Sequence, residues 1–303
     1  MRFPLSASEN KHAKGLLITA IGGLALTVDI PLIRLANGDA WSILMLRSGM
    51  TFVSAILIWI VWRFLIGGAP KLVPGRAGLA VAALYGAGSI TFVMAVFNTS
   101  TANLVFILAF NTMFAALLSW LFLKEQPRPI TLAAMMVMII GVFIIVGDGI
   151  GSGHFFGDLL ALASALLIAS AITISRASGR DMGFTPLVAV ILPFALAAVM
   201  VAQTGLRVET PAWIIFNGAV IMPLSFFCLA TGPRYISGPE VAMFYLLETV
   251  LAPVWVWMIF SDVPSTNSLI GGSILIIALV AHASWQLLDG RRRRAVLAVR
   301  HPA

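Results

Sequence analysis

Ile236-Ser-Gly-Pro-Glu-Val-Ala-Met-Phe-Tyr-Leu-Leu-Glu-Thr-Val-Leu-Ala-Pro-Val-Trp-Val-Trp-Met-Ile259 is an almost unbroken apolar run. It is long enough to cross a hydrocarbon core of about 30 Å as a helix. Glu248 lies near its middle, with Tyr245 three residues before it and Pro253 five after. A carboxylate at that depth is costly, and such residues usually have a partner or a task.

The rest of the chain supports the membrane reading. Of its 303 residues, 60% are hydrophobic and 10% charged, and the mean hydropathy is +1.01. Soluble domains carry about 25% charged residues. The class is therefore an all-α integral membrane protein. The net charge of +7 sets orientation in a bilayer and does not point to nucleic acid. The lone Cys228 excludes an intrachain disulfide and makes no Cys-rich metal site. His12, His154, His282 and His301 are scattered without ligand spacing. No Walker motif or nucleophile elbow occurs. Neither an enzyme, an ATP engine, a cofactor nor a metal site is expected. The first apolar run reads as a true span and not a signal peptide, because Asp29 and Arg34 interrupt or end it and no small-x-small cleavage site follows.

Ten spans are expected, at roughly 15–34, 41–65, 77–97, 100–122, 130–147, 157–177, 184–203, 212–232, 237–260 and 268–288. Turn residues separate them: Asn37-Gly38-Asp39, Gly67-Gly68-Ala69-Pro70, Gln126-Pro127-Arg128-Pro129 and Gly149-Ile150-Gly151-Ser152-Gly153. Most of the 19 Lys and Arg fall in the tails and in alternate connections: Arg2, Lys11 and Lys14; Arg63, Lys71 and Arg76; Lys124 and Arg128; Arg176 and Arg180; Arg234; Arg291 to Arg294 and Arg300. The opposite loops hold Asp39, Asp148, Asp158, Glu209 and Asp262. This bias expects both termini in the cytoplasm. The tryptophans, with Trp41, Trp213, Trp255 and Trp257 toward the outer ends and Trp62, Trp120 and Trp285 toward the inner, read as interfacial belts. The Arg291–Arg294 run reads as a cytoplasmic anchor with some affinity for anionic lipid.

The chain also repeats itself. At an offset of 137, Ser100, Thr112, Trp120, Glu125 and Pro127 meet Ser237, Thr249, Trp257, Asp262 and Pro264; at 142, Gly15, Arg34 and Asp39 meet Gly157, Arg176 and Asp181. Each half has five spans, so the second enters the membrane upside down. The expected division is residues 1–150 and 151–303, two inverted five-helix repeats. Inverted repeats are a transporter signature, with the binding site near the midplane between halves.

Ser100-Thr-Ala-Asn103 before an apolar run, Ser119-Trp-Leu-Phe-Leu-Lys-Glu125 and the Ala133–Gly141 stretch together resemble the EamA-type repeat of the drug/metabolite transporter superfamily. Pro239 to Thr249, ending in Val254-Trp-Val-Trp257, resembles the ninth span of bacterial amino-acid exporters of the YddG type within it. The resemblance covers essentially the whole chain. It implies a secondary carrier that exports small metabolites, and it maps the motif's loop glutamate onto Glu125 and, softened, onto Asp262. One departure is that many members carry a proline midway along the fourth span, where this chain reads Phe110-Asn111-Thr112.

Asn111 and Glu248 are repeat partners, each eleven residues into its span, or roughly 16 Å down a helix. An amide and an acid are thus expected to converge near the midplane, where the acid can hold an ammonium group or a proton; interhelical packing is the competing role. Tyr245 shares a helix face with Glu248, and Tyr85, before Gly86-Ala87-Gly88, is expected to line the same cavity. Asp29 and Arg47 sit at matched depth, and an ion pair is the least costly way to bury both. That pair is either structural or a gate that opens when substrate competes for one member, with snorkelling of Arg47 to the outer headgroups as the alternative. Pro31, Pro193, Pro223 and Pro253 interrupt spans one, seven, eight and nine, with Pro253 and Pro223 as hinge candidates and the second half as the more deformable one. Asn98, Asn103 and Glu240 read as capping residues, His282 as a hydrogen-bonded helix residue, and Gly22-Gly23 and Gly271-Gly272 as packing sites.

The expectation is a monomeric secondary transporter, working by alternating access on a small metabolite, amino acids favoured, with protons as a possible second cargo. Multidrug, cation or nucleoside export is the alternative within the superfamily; a channel or lipid scramblase is the alternative outside it.

Overall fold

The computed structural model describes residues 7–300, apart from 66, 68–70, 181, 233, 234 and 237, and describes no side chains at 7–11, 230, 238, 239, 242 and 290–300. Arg2, Lys11, Arg234, the Arg291–Arg294 run, Arg300 and His301 therefore lie, wholly or in their side chains, outside the described residues, as do the Gly68-Ala69-Pro70 turn, Asp181, Ser237 and Pro239.

Ten helical stretches in the described residues are long and apolar enough to cross a membrane, and no strand occurs among them. Span one is α1 (Ala7–Leu26) and α2 (Asp29–Leu35); spans two and three are α3 (Ala40–Leu65) and α4 (Gly75–Val96). Span four is α5 (Thr101–Ala109) and α6 (Asn111–Leu123), followed by α7 (Pro129–Ser152) and α8 (Phe155–Ser178) as spans five and six. Span seven is α9 (Thr185–Ala189) and α10 (Ile191–Thr204). Span eight is α11 (Pro211–Phe216), a π-helical turn over Asn217–Ile221, and α12 (Met222–Thr231). Spans nine and ten are α13 (Gly238–Phe260) and α14 (Thr266–Arg300), so the last helix continues through the basic run. An even number of spans puts both termini at one end of the bundle, called the terminal end below, and the other the far end.

Local chemistry sets the ends. Asp39 accepts hydrogen bonds from the backbone N–H groups of Trp41 and Ser42 at 3.0 and 3.2 Å, starting α3. Ser100 caps α5 by accepting from the Asn103 N–H at 3.2 Å, satisfying a donor that the helix itself leaves open. Pro129 and Pro211 open α7 and α11, where a missing N–H costs nothing. Gly153, at φ +81°, ends α7 in the left-handed region that only glycine enters cheaply.

Four spans break. Pro193 cannot donate to the Ala189 carbonyl, and α9 ends at Ala189. Pro223 likewise releases Ala219, inside the π-helical turn. Pro31 releases Thr27, where α1 gives way to α2. Span four breaks at Phe110 without a proline: the Phe110 N–H bonds the Ile107 carbonyl at 3.0 Å, three residues back, and tightens the turn. Pro253 breaks nothing, for α13 is continuous past it. The breaks thus fall two in each half. The expected concentration of irregularity in the second half, and an interruption at Pro253, are both corrected.

Packing follows a pseudo-twofold pattern. Span three packs on span six as span eight packs on span one, and span four packs on six as nine packs on one. Spans two and seven, four and nine, and five and ten each pack on their own counterpart. Glycines let backbones approach. A side chain at Gly271 would meet the Gly141 carbonyl at 2.7 Å, joining spans ten and five. At Gly23 it would meet the Phe244 carbonyl at 2.7 Å, joining spans one and nine, and at Gly86 the released Ala189 carbonyl at 2.9 Å. The largest apolar core gathers Ile30, Ile33, Ile43, Val93 and Leu104 to Ile107 toward the far end, with Val142, Val256 and Leu275. Exposed Leu17, Phe64, Leu121, Phe122 and Phe143 form an apolar surface suited to lipid.

Candidate functional site

The two halves of span four behave differently. Every residue from Thr101 to Ile107 is buried, and α5 packs on α13, α8, α14 and α7. Beyond the Phe110 turn, α6 packs chiefly on α8, and only Met113 and Ser119 are buried. Spans four and nine therefore touch at the far end and part toward the terminal end. Tyr245 and Glu248 sit on α13 beside this parting, Tyr245 43% exposed and Glu248 half-buried.

Tyr245 lies within electrostatic range of Glu248 and of Tyr85 on α4. Yet α13 packs on α1, α2, α5 and α14, while α4 packs on α8, α9, α10 and α3. The two tyrosines thus come near each other from helices that do not pack extensively together. Glu248 in turn lies within electrostatic range of Asp29 and Arg47. Five of the expected site positions, Glu248, Tyr245, Tyr85, Asp29 and Arg47, thus lie in one neighbourhood. Asn111 does not join it by any described hydrogen bond to Glu248. It begins α6, half-buried, after the Phe110 turn. From there α6 packs chiefly on α8.

Arg47 and Asp29 are paired. Arg47 Nη2 donates to Asp29 Oδ2 at 2.8 Å and Nε donates to Oδ1 at 3.2 Å. Both side chains are buried, 5% and 2% exposed. Snorkelling of Arg47 to the headgroups is thereby overturned. Two charges removed from water hold only with close mutual bonding. Asn217, fully buried in the π-helical turn, donates to Asp29 Oδ1 at 2.7 Å and to its carbonyl at 3.0 Å. Arg47 Nη2 also reaches Met222 Sδ at 3.2 Å, and its guanidinium lies over the Phe92 ring at 5.6 Å. Sequence reading missed Asn217. Its only signal was an uncharged amide in an apolar run six residues before Pro223.

The far end carries a second polar group. Asp158, wholly buried, accepts from Thr99 Oγ1 at 2.5 Å and from Asn103 Nδ2 at 3.2 Å, and Asn103 Oδ1 accepts from Ser268. Asn103 is thus a buried link between spans four, six and ten, and the capping expectation is corrected for it. Asn98 does bond locally, donating to the Met94 carbonyl at 2.7 Å. Arg34 pairs with Asp262 at 2.7 Å, Trp255 Nε1 donates to Thr27 Oγ1 at 3.1 Å across spans nine and one, and Gly38 bridges to Val208 between loops. The terminal end has Arg176–Glu125 at 3.0 Å, Arg128–Asp289 at 2.5 Å and His12–Glu240 at 3.0 Å, each joining neighbouring helices. Glu240 is a bonding partner of His12 as well as a first-turn acid. His282 is hydrogen-bonded, 3.0 Å from Thr131 Oγ1, as expected.

Among the described residues no three side chains of metal-ligating type gather. Residues 13–147, the first five spans, match the family model described as the EamA-like transporter family. No curated protein matches the sequence. Twenty-two chains of known structure match. One, described only as the crystal structure of a protein, superposes with a TM-score of 0.62 at 16% identity, over 91% of this chain and 98% of its own; at that identity the likeness is one of fold alone. The match covers less than half of the chain, so the first five spans are similar to EamA-like transporters, and the ten-span fold is that of a multi-pass membrane protein.

Proposed function

We propose that the protein is a secondary transporter that exports small metabolites, amino acids foremost, by alternating access between five-span repeats divided near residue 150. The observation that carries this is the nearness of Glu248, Tyr245 and Tyr85, on helices not extensively packed together, beside the parting of spans four and nine. In this reading Glu248 receives an ammonium group or a proton, the tyrosines bound the cavity, and Asn111 stands at its terminal side. Pro223, at the π-helical turn, is a hinge; Pro253, in an unbroken helix, leaves the Thr249 carbonyl without its usual donor and is the softer part of α13. The terminal end is cytoplasmic, on the bias of Lys and Arg, and the protein works as a monomer in a bacterial inner membrane.

The test is counterflow in proteoliposomes with a panel of amino acids, nucleosides and cationic drugs. Glu248→Gln is expected to lower counterflow by about 100-fold, since a buried charged contact contributes about 1.5–3 kcal/mol, with an unchanged size-exclusion profile. Wild-type rates across the panel would remove Glu248 from the site. Saturable counterflow distinguishes a carrier from a channel or scramblase, and the panel separates amino-acid export from nucleoside or drug export.

A further inference from the structure

We propose that Arg47 receives the carboxylate of the substrate, and that Asp29 holds that place in the empty carrier; the inference rests on the amino-acid reading above. A guanidinium presents five N–H donors in a planar fork, enough for two carboxylates side by side. Asp29 uses one edge, through Nε and Nη2. At the other edge, Nη2 meets only the Met222 thioether at 3.2 Å, a weak acceptor, and Nη1 donates to nothing among the described residues. A buried cation is seldom left so under-bonded. The Nη1 atom is not sealed off, for it is absent from the buried polar atoms that lack partners. Asn217 Oδ1, by contrast, is among them, fully enclosed and unbonded beside Asp29.

Asn217 also explains why exchange is feasible. It holds Asp29 through both the side chain and the main chain. When a second carboxylate takes Arg47, Asp29 keeps a donor of its own. Glu248 lies within electrostatic range of both members of the pair and forms no described hydrogen bond with either. The neighbourhood thus offers a half-used cationic fork and a separate acid. A molecule with an ammonium and a carboxylate on adjoining atoms satisfies both; one lacking either leaves a buried group unmatched, which binding sites penalise strongly. In the empty state the Asp29–Arg47 bond removes the unpaired charge that would otherwise oppose reorientation. The carrier can then return unloaded, so net efflux does not require exchange.

The experiment compares an amino acid with its primary amide, which keeps the ammonium and lacks the carboxylate, as competitors of labelled amino-acid counterflow. The wild type should prefer the acid by at least about tenfold. The paired variant Asp29→Asn with Arg47→Gln, which keeps a neutral hydrogen-bonded pair, should bring that preference to within about twofold. Asp29→Asn alone should lower net efflux into amino-acid-free medium by at least about tenfold more than it lowers counterflow, because Arg47 is then unpaired only when the carrier is empty. A preference for the acid retained in the paired variant, or net efflux lowered no more than counterflow in Asp29→Asn, overturns the assignment. The second measurement decides the matter if the paired variant does not fold. A wild type that moves no amino acid refutes the underlying substrate reading instead, and does so before any variant is made.

Discussion

At the far end of the bundle, one group of polar side chains is buried and bonds across several spans. At the terminal end they pair in partial or full exposure between neighbours. Asp158 has no accessible surface and bonds residues of the span three–four turn and of span four. Arg176 and Glu125, at the other end, are both more than half exposed. The apolar packing has the same polarity: α5 is buried on all sides and α6 mostly open. Ten helices of similar hydropathy thus make a bundle that is tied at one end and loose at the other. In the proposed alternating-access cycle, the tied end has to open to release cargo there. The bonds at the far end are therefore the ones whose loss should be felt most, in stability or in the balance of states.

The largest effect is expected at Asp158. Asp158→Ala leaves Thr99 Oγ1 and Asn103 Nδ2 without their acceptor in a buried place. Donors to a charged partner are worth about 1.5–3 kcal/mol, and the group left unpaired carries its desolvation cost as well. The expected loss is about 3 kcal/mol, read as a lower unfolding midpoint in detergent. Asp158→Asn, which keeps an acceptor, should lose less than half of that. An Asp158→Ala variant as stable as wild type would break the comparison between the ends.

Much of this architecture was legible in the chain because hydropathy and helix length are local properties. All ten spans stood out, as did Gly22-Gly23 and Gly271-Gly272 as close contacts, and Asp29–Arg47 followed from matched depth in adjacent spans. What was less legible depended on direction. Asn111 and Glu248 share a depth, but a tight turn at Phe110, with no proline to announce it, sends α6 toward α8. Asn103 read as a cap because it sits near the end of its span; its side chain serves a carboxylate 55 residues on. Asn217 gave little sign, since its task depends on a π-helical turn that aims it at Asp29. Sequence period tells which face of a regular helix a residue occupies, and each of these residues lies next to an irregularity.

A middle-sized effect is expected where the far end is closed by partly exposed groups. The Arg34–Asp262 pair is 23% and 36% exposed and links the end of span one to the turn after span nine. Such a pair contributes on the order of 1 kcal/mol or less to any one state. In a two-state carrier that is about a fivefold change in population. Arg34→Gln should therefore leave the unfolding midpoint nearly unchanged. It should speed labelling, by an impermeant thiol reagent at the far side, of a cysteine placed at Val256 (1% exposed) in a Cys228→Ser background. Labelling no faster than in the parent would mean that the α5–α13 contact alone closes the far end.

The smallest effect is expected at Glu125, although the family resemblance rests partly on it. Its bond to Arg176 joins α6 to α8, two helices already packed together. Both groups are hydrated, so Coulomb attraction is weak and two long side chains lose freedom in pairing. Glu125→Gln should move the unfolding midpoint by no more than about 1 °C. Its effect on transport is a sharper question, because α6 is the half of span four that parts from span nine. If α6 and α8 move as one piece, a surface bond between them is constant through the cycle and counterflow changes by less than about twofold. If counterflow falls much further while stability holds, the bond forms in one state only. The moving boundary then lies between α6 and α8 instead of between α6 and α13.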